Sequence, residues 1–284
     1  MVLSISTLLA LTASGLLAGL VGALVGVGGG IIVVPTLVIG FGLDIKIAVA
    51  ASLVAVVASS TAASSVYVGK GLSNMRLGMI LEVATTLGGI CGGLLAVWIA
   101  PDLISMIFGA LLVFIAGLML RDSLRPKTET PVLAASSHAS SLGGEYYDDF
   151  QKRTIAYNVR RLPLGFAVSY FAGILSGLLG VGGGFIKVPA MNMGMNVPMK
   201  VATATSNLMI GVTAISSLFV YFARGFVQPL IAAPVAVGVV GGALLGTKIA
   251  ARISPKMLKR VFSILLFFIA IQMILRSAGV LGGH

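Results

Sequence analysis

The chain has 284 residues, of which 58% are hydrophobic and 10% charged, with a net charge of +11 and a mean hydropathy of +1.09. Soluble domains carry about 25% charged residues, so a water-soluble globule, a disordered chain and a disulfide scaffold are excluded. So is an outer-membrane barrel, whose strands alternate apolar and polar residues, because residues 106–120 are apolar on every side. A polytopic helical membrane protein remains, and at about 20 residues per span the length allows roughly eight to ten passes.

The first apolar segment runs from about Ile5 to Phe41 and is interrupted by the five residues Gly26-Val27-Gly28-Gly29-Gly30. Apolar segments follow at about Ile47–Val68, Leu77–Ile99 and Leu103–Leu120. Residues 121–161 then hold seven basic and five acidic residues with a serine-rich centre, a composition that predicts a flexible, solvated loop. The fifth segment, about Leu162–Met195, is interrupted at Gly180-Val181-Gly182-Gly183-Gly184. Three more follow at about Val201–Phe222, Leu230–Ala250 and Met257–Leu275.

The two halves are one repeat offset by 154 residues. Residues 26–35 and 180–189 are identical at eight of ten positions. The same offset pairs Lys46 with Lys200, Ser52 with Ser206, Tyr67 with Tyr221, Gly71 with Gly225 and Pro101 with Pro255, without a gap. This divides the chain into repeats at 1–121 and 162–284, joined by a polar linker at 122–161. Charge placement sets the halves in opposite orientations. The basic central loop belongs in the cytoplasm. The connection at Pro101-Asp102 carries no base, while its counterpart carries Arg252, Lys256, Lys259 and Arg260. Opposite orientation needs an odd number of passes per half. Segments one and five supply it if each folds back at its glycine break. The expected fold is therefore all-α, with four to five passes per half, an inverted repeat, broken helices at the glycine motifs and both termini outside.

The glycine breaks are the sharpest candidate site. Three consecutive glycines free backbone N–H groups, and irregular backbone survives at membrane depth only inside protein or beside water. Two such breaks in an inverted repeat mark a substrate site near the midplane, and backbone N–H groups suit an anion; close helix packing by small residues is the alternative. The candidate contacts are Gly28, Gly29, Gly30, Gly182, Gly183 and Gly184, with Ser52, Thr205, Ser206 and Asn207 as hydroxyl and amide donors beside them. Lys187, which replaces Val33 of the first half, is a cation inside an apolar stretch and a candidate to attract the anion. Glu82 is the acidic residue well inside an apolar segment, hence a candidate for proton coupling; an interfacial pair with a base competes with that reading. Lys46, Lys200, Lys70 and Arg224 read as interfacial anchors, Pro35 and Pro189 as helix kinks, and Ser59, Ser60, Thr61, Ser64 and Ser65 as packing residues. Neither a catalytic constellation nor a metal or cofactor motif is present in the sequence, and ATP-driven transport has no Walker motif to rest on.

The duplicated GVGGG-(x)4-P, the stretch from Gly173 to Pro189 and the Ala-Thr-Ala-Thr-Ser-Asn run at 202–207 resemble the TauE/SafE sulfite exporter family. The resemblance covers nearly the whole chain apart from the central loop. It implies a prokaryotic cytoplasmic-membrane transporter for sulfite or related organosulfur anions. The excess of bases lies between apolar runs, where it sets topology, so no nucleic-acid partner is expected. The first half departs from the second, with Ala51-Ser52-Leu53 facing Thr205-Ser206-Asn207. The expected function is export of a small sulfur oxyanion by alternating access. An anion channel, an importer of another small organic anion in the same fold and a non-transporting scaffold are the competing readings. Packed membrane helices often assemble, so a homodimer is compatible with the sequence.

Overall fold

The computed structural model describes residues 4–25, 29–124, 142–148, 153–250 and 255–277. Ten helices fill them: α1 (Ile5–Val25), α2 (Gly30–Pro35), α3 (Ile45–Gly69), α4 (Met75–Trp98), α5 (Pro101–Leu124), α6 (Leu162–Leu179), α7 (Gly184–Pro189), α8 (Met199–Ala223), α9 (Pro229–Ala250) and α10 (Pro255–Ser277). The protein is an all-α polytopic membrane protein. Seven of the helices are long and apolar enough to cross a bilayer, and large apolar side chains such as Met79, Val83, Trp98, Phe219 and Val237 point outward. A helix apolar on every side needs lipid or protein around it, not water.

The helix ends follow local chemistry. Asp44 caps α3 by accepting the Lys46 N–H at 2.7 Å, and Asn74 caps α4 by accepting the Leu77 N–H at 3.0 Å. Helices α3 and α8 both stop at a left-handed glycine, Gly71 (φ 64°) and Gly225 (φ 73°). Pro101 and Pro255 open α5 and α10, where a missing N–H costs nothing. Each proline-terminated short helix runs into a π-helical turn, Thr36–Gly40 after α2 and Ala190–Gly194 after α7. The six-residue helix and its five-residue turn extend about 16 Å at 1.5 Å per residue. That is about half of a roughly 30 Å hydrocarbon core, so these elements are too short to cross it.

Every element of the first half has its counterpart 154 residues on, and the halves interlock. Helix α1 packs on α9, α6 on α4, α3 on α8, and α5 on α10. A Cβ on Gly19 would lie 2.1 Å from the Val239 carbonyl oxygen, and one on Gly173 would lie 2.3 Å from that of Thr85. These are the same contact with the halves exchanged, as are Gly242 on Leu16 and Gly88 on Tyr170. Such exchange is what a two-fold relation between the halves produces. The twin helices α3 and α8 run antiparallel. Lys46, at the start of α3, lies over the ring of Phe226 just past the end of α8. Thr205, near the start of α8, accepts the N–H of Asn74 just past the end of α3.

The central stretch corrects one expectation. Its described part is not a flexible loop but an antiparallel hairpin of β1 (Gly144–Asp148) and β2 (Arg153–Tyr157). Tyr146, Tyr157 and Val159 are buried with Leu77, Met191, Met195 and Val197. Asn74 fixes it further by donating to the Leu142 carbonyl and the Tyr157 hydroxyl, at 3.0 and 2.9 Å. Two tyrosines supply enough apolar area to dock a segment whose average composition is polar.

Candidate functional site

The described end of the first glycine break meets the start of the second. A Cβ on Gly30 would lie 2.4 Å from the Gly180 carbonyl oxygen, so α2 touches the opposite break backbone to backbone. The Ser52 hydroxyl sits at this crossing, 2.8 Å from the Gly180 oxygen and 3.4 Å from that of Gly30. Its one proton goes to Gly180, the shorter bond. In the second half Gly180, Gly182 and Gly183 all take the left-handed conformation, which only glycine adopts without strain. Part of the backbone freed by the breaks is used within the short helices: Ile32 and Val33 donate to the Gly29 oxygen, Ile186 and Lys187 to that of Gly183.

Above this crossing lies a cavity of about 310 Å³ bounded by α1, α3, α8 and α9, near the lower end of ligand-pocket volumes. Gly29 and Val181 bring both breaks to its wall, and Ser59, Ser60, Thr203 and Asn207 supply polar groups. Tyr67 and the exposed Lys70 lie toward the α3 terminus, at the end of the molecule that carries the hairpin. The Asn207 amide donates to the Thr203 carbonyl at 3.0 Å and leaves its oxygen and second N–H for other partners.

A second polar group lies across α8. Glu82 and Lys187 are both buried and share Thr213. The Lys187 ammonium lies 3.4 Å from the Thr213 hydroxyl, which lies 2.8 Å from a Glu82 carboxylate oxygen. Thr85 and Thr86 donate to the same carboxylate at 2.8 and 3.2 Å. Charges in a membrane interior are held by such partners. Neither Glu82 nor Lys187 lines the cavity. Under the 154-residue exchange their places are taken by Ala236 and Val33, and Thr213 by Ser59 of the cavity wall.

The remaining candidates fall into place around these two features. Gly29 and Asn207 are at the cavity; Gly30, Ser52, Gly182, Gly183 and Gly184 build the crossing beneath it; Gly28 lies outside the described residues. Ser206 is buried beside Gly184, and its hydroxyl has no hydrogen-bond partner among the described residues. Thr205 is fully buried and committed to the Asn74 N–H. Lys46 donates to the Val97 carbonyl in the last turn of α4 at 3.0 Å, an anchoring role that suits a cation at a helix C-terminus. Sequence reasoning missed Ser59, Ser60, Tyr67 and Lys70 as one face. Their signal was there, since Val56, Ser59, Ser60, Ala63, Tyr67 and Lys70 recur at three- and four-residue spacing along α3.

Comparison with known proteins agrees with this architecture. The sequence pattern of the family described as "Sulfite exporter TauE/SafE" matches residues 11–273. The chain is 28% identical to the probable membrane transporter protein YunE of Bacillus subtilis (strain 168), over 92% of this chain and 94% of that protein. It is 30% identical to a probable membrane transporter protein of Xylella fastidiosa (strain 9a5c), over 97% and 98% of the two chains. A third relative, the probable membrane transporter protein YdhB of Bacillus subtilis (strain 168), is 26% identical over 82% and 86%. No solved structure matches. The chain belongs to the TauE/SafE family and is a membrane transporter.

Proposed function

We propose that this transporter exports a small sulfur oxyanion, of which sulfite is the type, across the prokaryotic cytoplasmic membrane by alternating access. The observation that carries the reading is the cavity in which both glycine breaks converge with Asn207, Thr203, Ser59 and Ser60. Neutral donors of this kind replace the water around an anion without holding it as tightly as a fixed charge would. Lys70 at the rim draws the anion in. The word sulfite rests on the family's description.

In this scheme the hairpin end of the molecule faces the cytoplasm and the repeat is inverted. The antiparallel course of α3 and α8 supports the inversion, and the clustering of Lys70, Arg76, Arg121, Arg160, Arg161 and Lys200 toward the hairpin end supports the sidedness. An anion at the cavity is thus loaded from the cytoplasm. An interior-negative potential of 100 mV favours its exit by about 2.3 kcal/mol per charge. Ser206 and the glycine backbone line the route at the crossing. Glu82, with Lys187 as its counter-charge, is the candidate for proton coupling.

Sulfite efflux from proteoliposomes tests this. Wild-type protein should give saturable flux that responds to an imposed potential. Asn207→Ala should lower it about tenfold, the value of one hydrogen bond to an ion. Ser206→Ala should lower flux as well. Lys187→Met should reduce transport and alter its pH dependence if Glu82 exchanges a proton during the cycle. Flux of another anion in place of sulfite would keep the transport reading and replace its substrate. No anion flux under any gradient would defeat it.

A further inference from the structure

The two halves match in sequence and share their principal helix pairings, but one seam differs between them. Helix α8 packs on α6, whereas their counterparts α3 and α1 stand apart around the cavity. Tyr221 closes the α6–α8 seam. It is fully buried, and its hydroxyl lies 3.1 and 3.3 Å from the carbonyls of Gly177 and Leu178 in the last turn of α6. Its counterpart Tyr67 lines the open cavity instead, and the carbonyls that correspond to those of Gly177 and Leu178 are those of Ala23 and Leu24 in the last turn of α1. The glycine breaks differ in the same sense: Gly29 has φ −66°, its counterpart Gly183 φ +68°.

The wall shut behind Tyr221 is as polar as the open one. Thr213, Ser216 and Ser217 of α8 face Gly89 of α4, where a Cβ would lie 2.8 Å from the Ser217 hydroxyl and 3.1 Å from that of Ser216. Both serines donate back to the Thr213 carbonyl, at 2.7 and 3.0 Å, as hydroxyls do when no ligand claims them. The Glu82–Thr213–Lys187 group adjoins this wall. A row of hydroxyls packed against a glycine, with the Glu82–Thr213–Lys187 group beside it, is a poor way to pack two membrane helices and a good way to line a path that opens.

We propose that the α4–α6–α8 wall of Thr213, Ser216 and Ser217 is the second mouth of the anion path, shut in this structure, and that Tyr67 and Tyr221 are its paired latches. The proposal rests on the transport reading given above and adds where the anion leaves. In the alternate state the conformations of the halves are exchanged. Tyr221 releases the Gly177 and Leu178 carbonyls and uncovers Ser217. Tyr67 then donates to the α1 terminus and closes the cavity at the hairpin end. The two seams lie toward opposite ends of the molecule because α3 and α8 run antiparallel, so the mouths face opposite sides of the membrane.

Thiol labelling reads this without any substrate. In a Cys91→Ala background, Ala63→Cys marks the open cavity and Ser217→Cys its exact counterpart behind Tyr221. In membranes of known orientation, an impermeant thiol reagent should reach Ala63→Cys from the hairpin side and Ser217→Cys, slowly, from the opposite side. Adding Tyr221→Phe should raise the Ser217→Cys rate roughly fivefold, the population shift that one lost hydrogen bond produces. Adding Tyr67→Phe should lower it by a similar factor, a change of opposite sign that stands even if Tyr221→Phe fails to fold. Labelling of both cysteines from one side would overturn the proposal. So would a Ser217→Cys that stays unreactive in every variant, or whose rate ignores both tyrosines. Absence of sulfite flux alongside reciprocal labelling would defeat the substrate and leave the second mouth standing.

Discussion

At the scale of single residues, the buried charges carry the clearest expectation. Lys187 and Glu82 communicate through one hydroxyl, so removing either charge strands the other in the membrane interior. Breaking a buried pair costs about 3–5 kcal/mol, whereas replacing both partners is often nearly neutral. Lys187→Met and Glu82→Gln should therefore each lower thermal stability in detergent sharply, and the double variant should recover much of the loss. Additive losses would mean that the two charges do not share Thr213 in the folded protein. Sequence alone exposed the oddity of each residue, a lysine where the twin half has valine and a glutamate inside an apolar run. It could not pair them, because residues 82, 187 and 213 lie on three elements that only the packed fold brings together. Ser52 is a similar case. Its repeat partner marked it as a site residue, yet its hydroxyl is spent tying Gly180 to the opposite half. Ser52→Ala leaves that buried carbonyl unpaired and should destabilise the protein by about 1–3 kcal/mol.

At the scale of elements, glycine position decides which helices touch. Helices α1 and α9, and α4 and α6, approach so closely that carbonyl oxygens occupy the place of a Cβ. Gly173→Ala would put a methyl 2.3 Å from the Thr85 oxygen, and the helices would have to separate. A loss of about 1–3 kcal/mol is expected, the usual cost of overpacking. Gly117 on α5 has nothing within 4 Å of its missing Cβ. Gly117→Ala should instead be neutral or stabilise by up to about 1 kcal/mol through helix propensity. Thermal unfolding of the two variants in detergent checks the contrast; equal shifts would contradict the interdigitated packing. The same logic explains what was legible at this scale. Breaks at GVGGG, the 154-residue period and the boundaries of the long helices all follow from local composition. The hairpin did not, because Tyr146 and Tyr157 are two buried residues in a stretch whose average is polar. Composition averages away the residues that dock.

At the scale of the whole molecule, the open question is which faces of the repeat see which side of the membrane, and the contacts make a definite expectation. Asn74, the hairpin and the start of α8 are joined by hydrogen bonds, so Lys70 lies at the hairpin end. Lys46, the end of α4 and Phe226 are joined at the other end, so Arg224 lies there. Lys70 and Arg224 are nonetheless the same position in the two repeats, each just before its left-handed glycine. In a protein whose repeats run parallel through the membrane, equivalent turns would emerge on one side. On the inverted reading proposed above, which the antiparallel course of α3 and α8 supports, they should emerge on opposite sides. Lys70→Cys and Arg224→Cys, each in a Cys91→Ala background, should therefore react with an impermeant reagent from opposite faces of oriented vesicles, Lys70→Cys from the cytoplasmic one. Both sites are exposed at the ends of spans, so labelling needs no transport and no rare conformation. Labelling of both from one face would remove the inverted repeat. With it would go the argument that a single path, open at Lys70 and shut at Tyr221, can carry an anion through the molecule by exchanging the shapes of its halves.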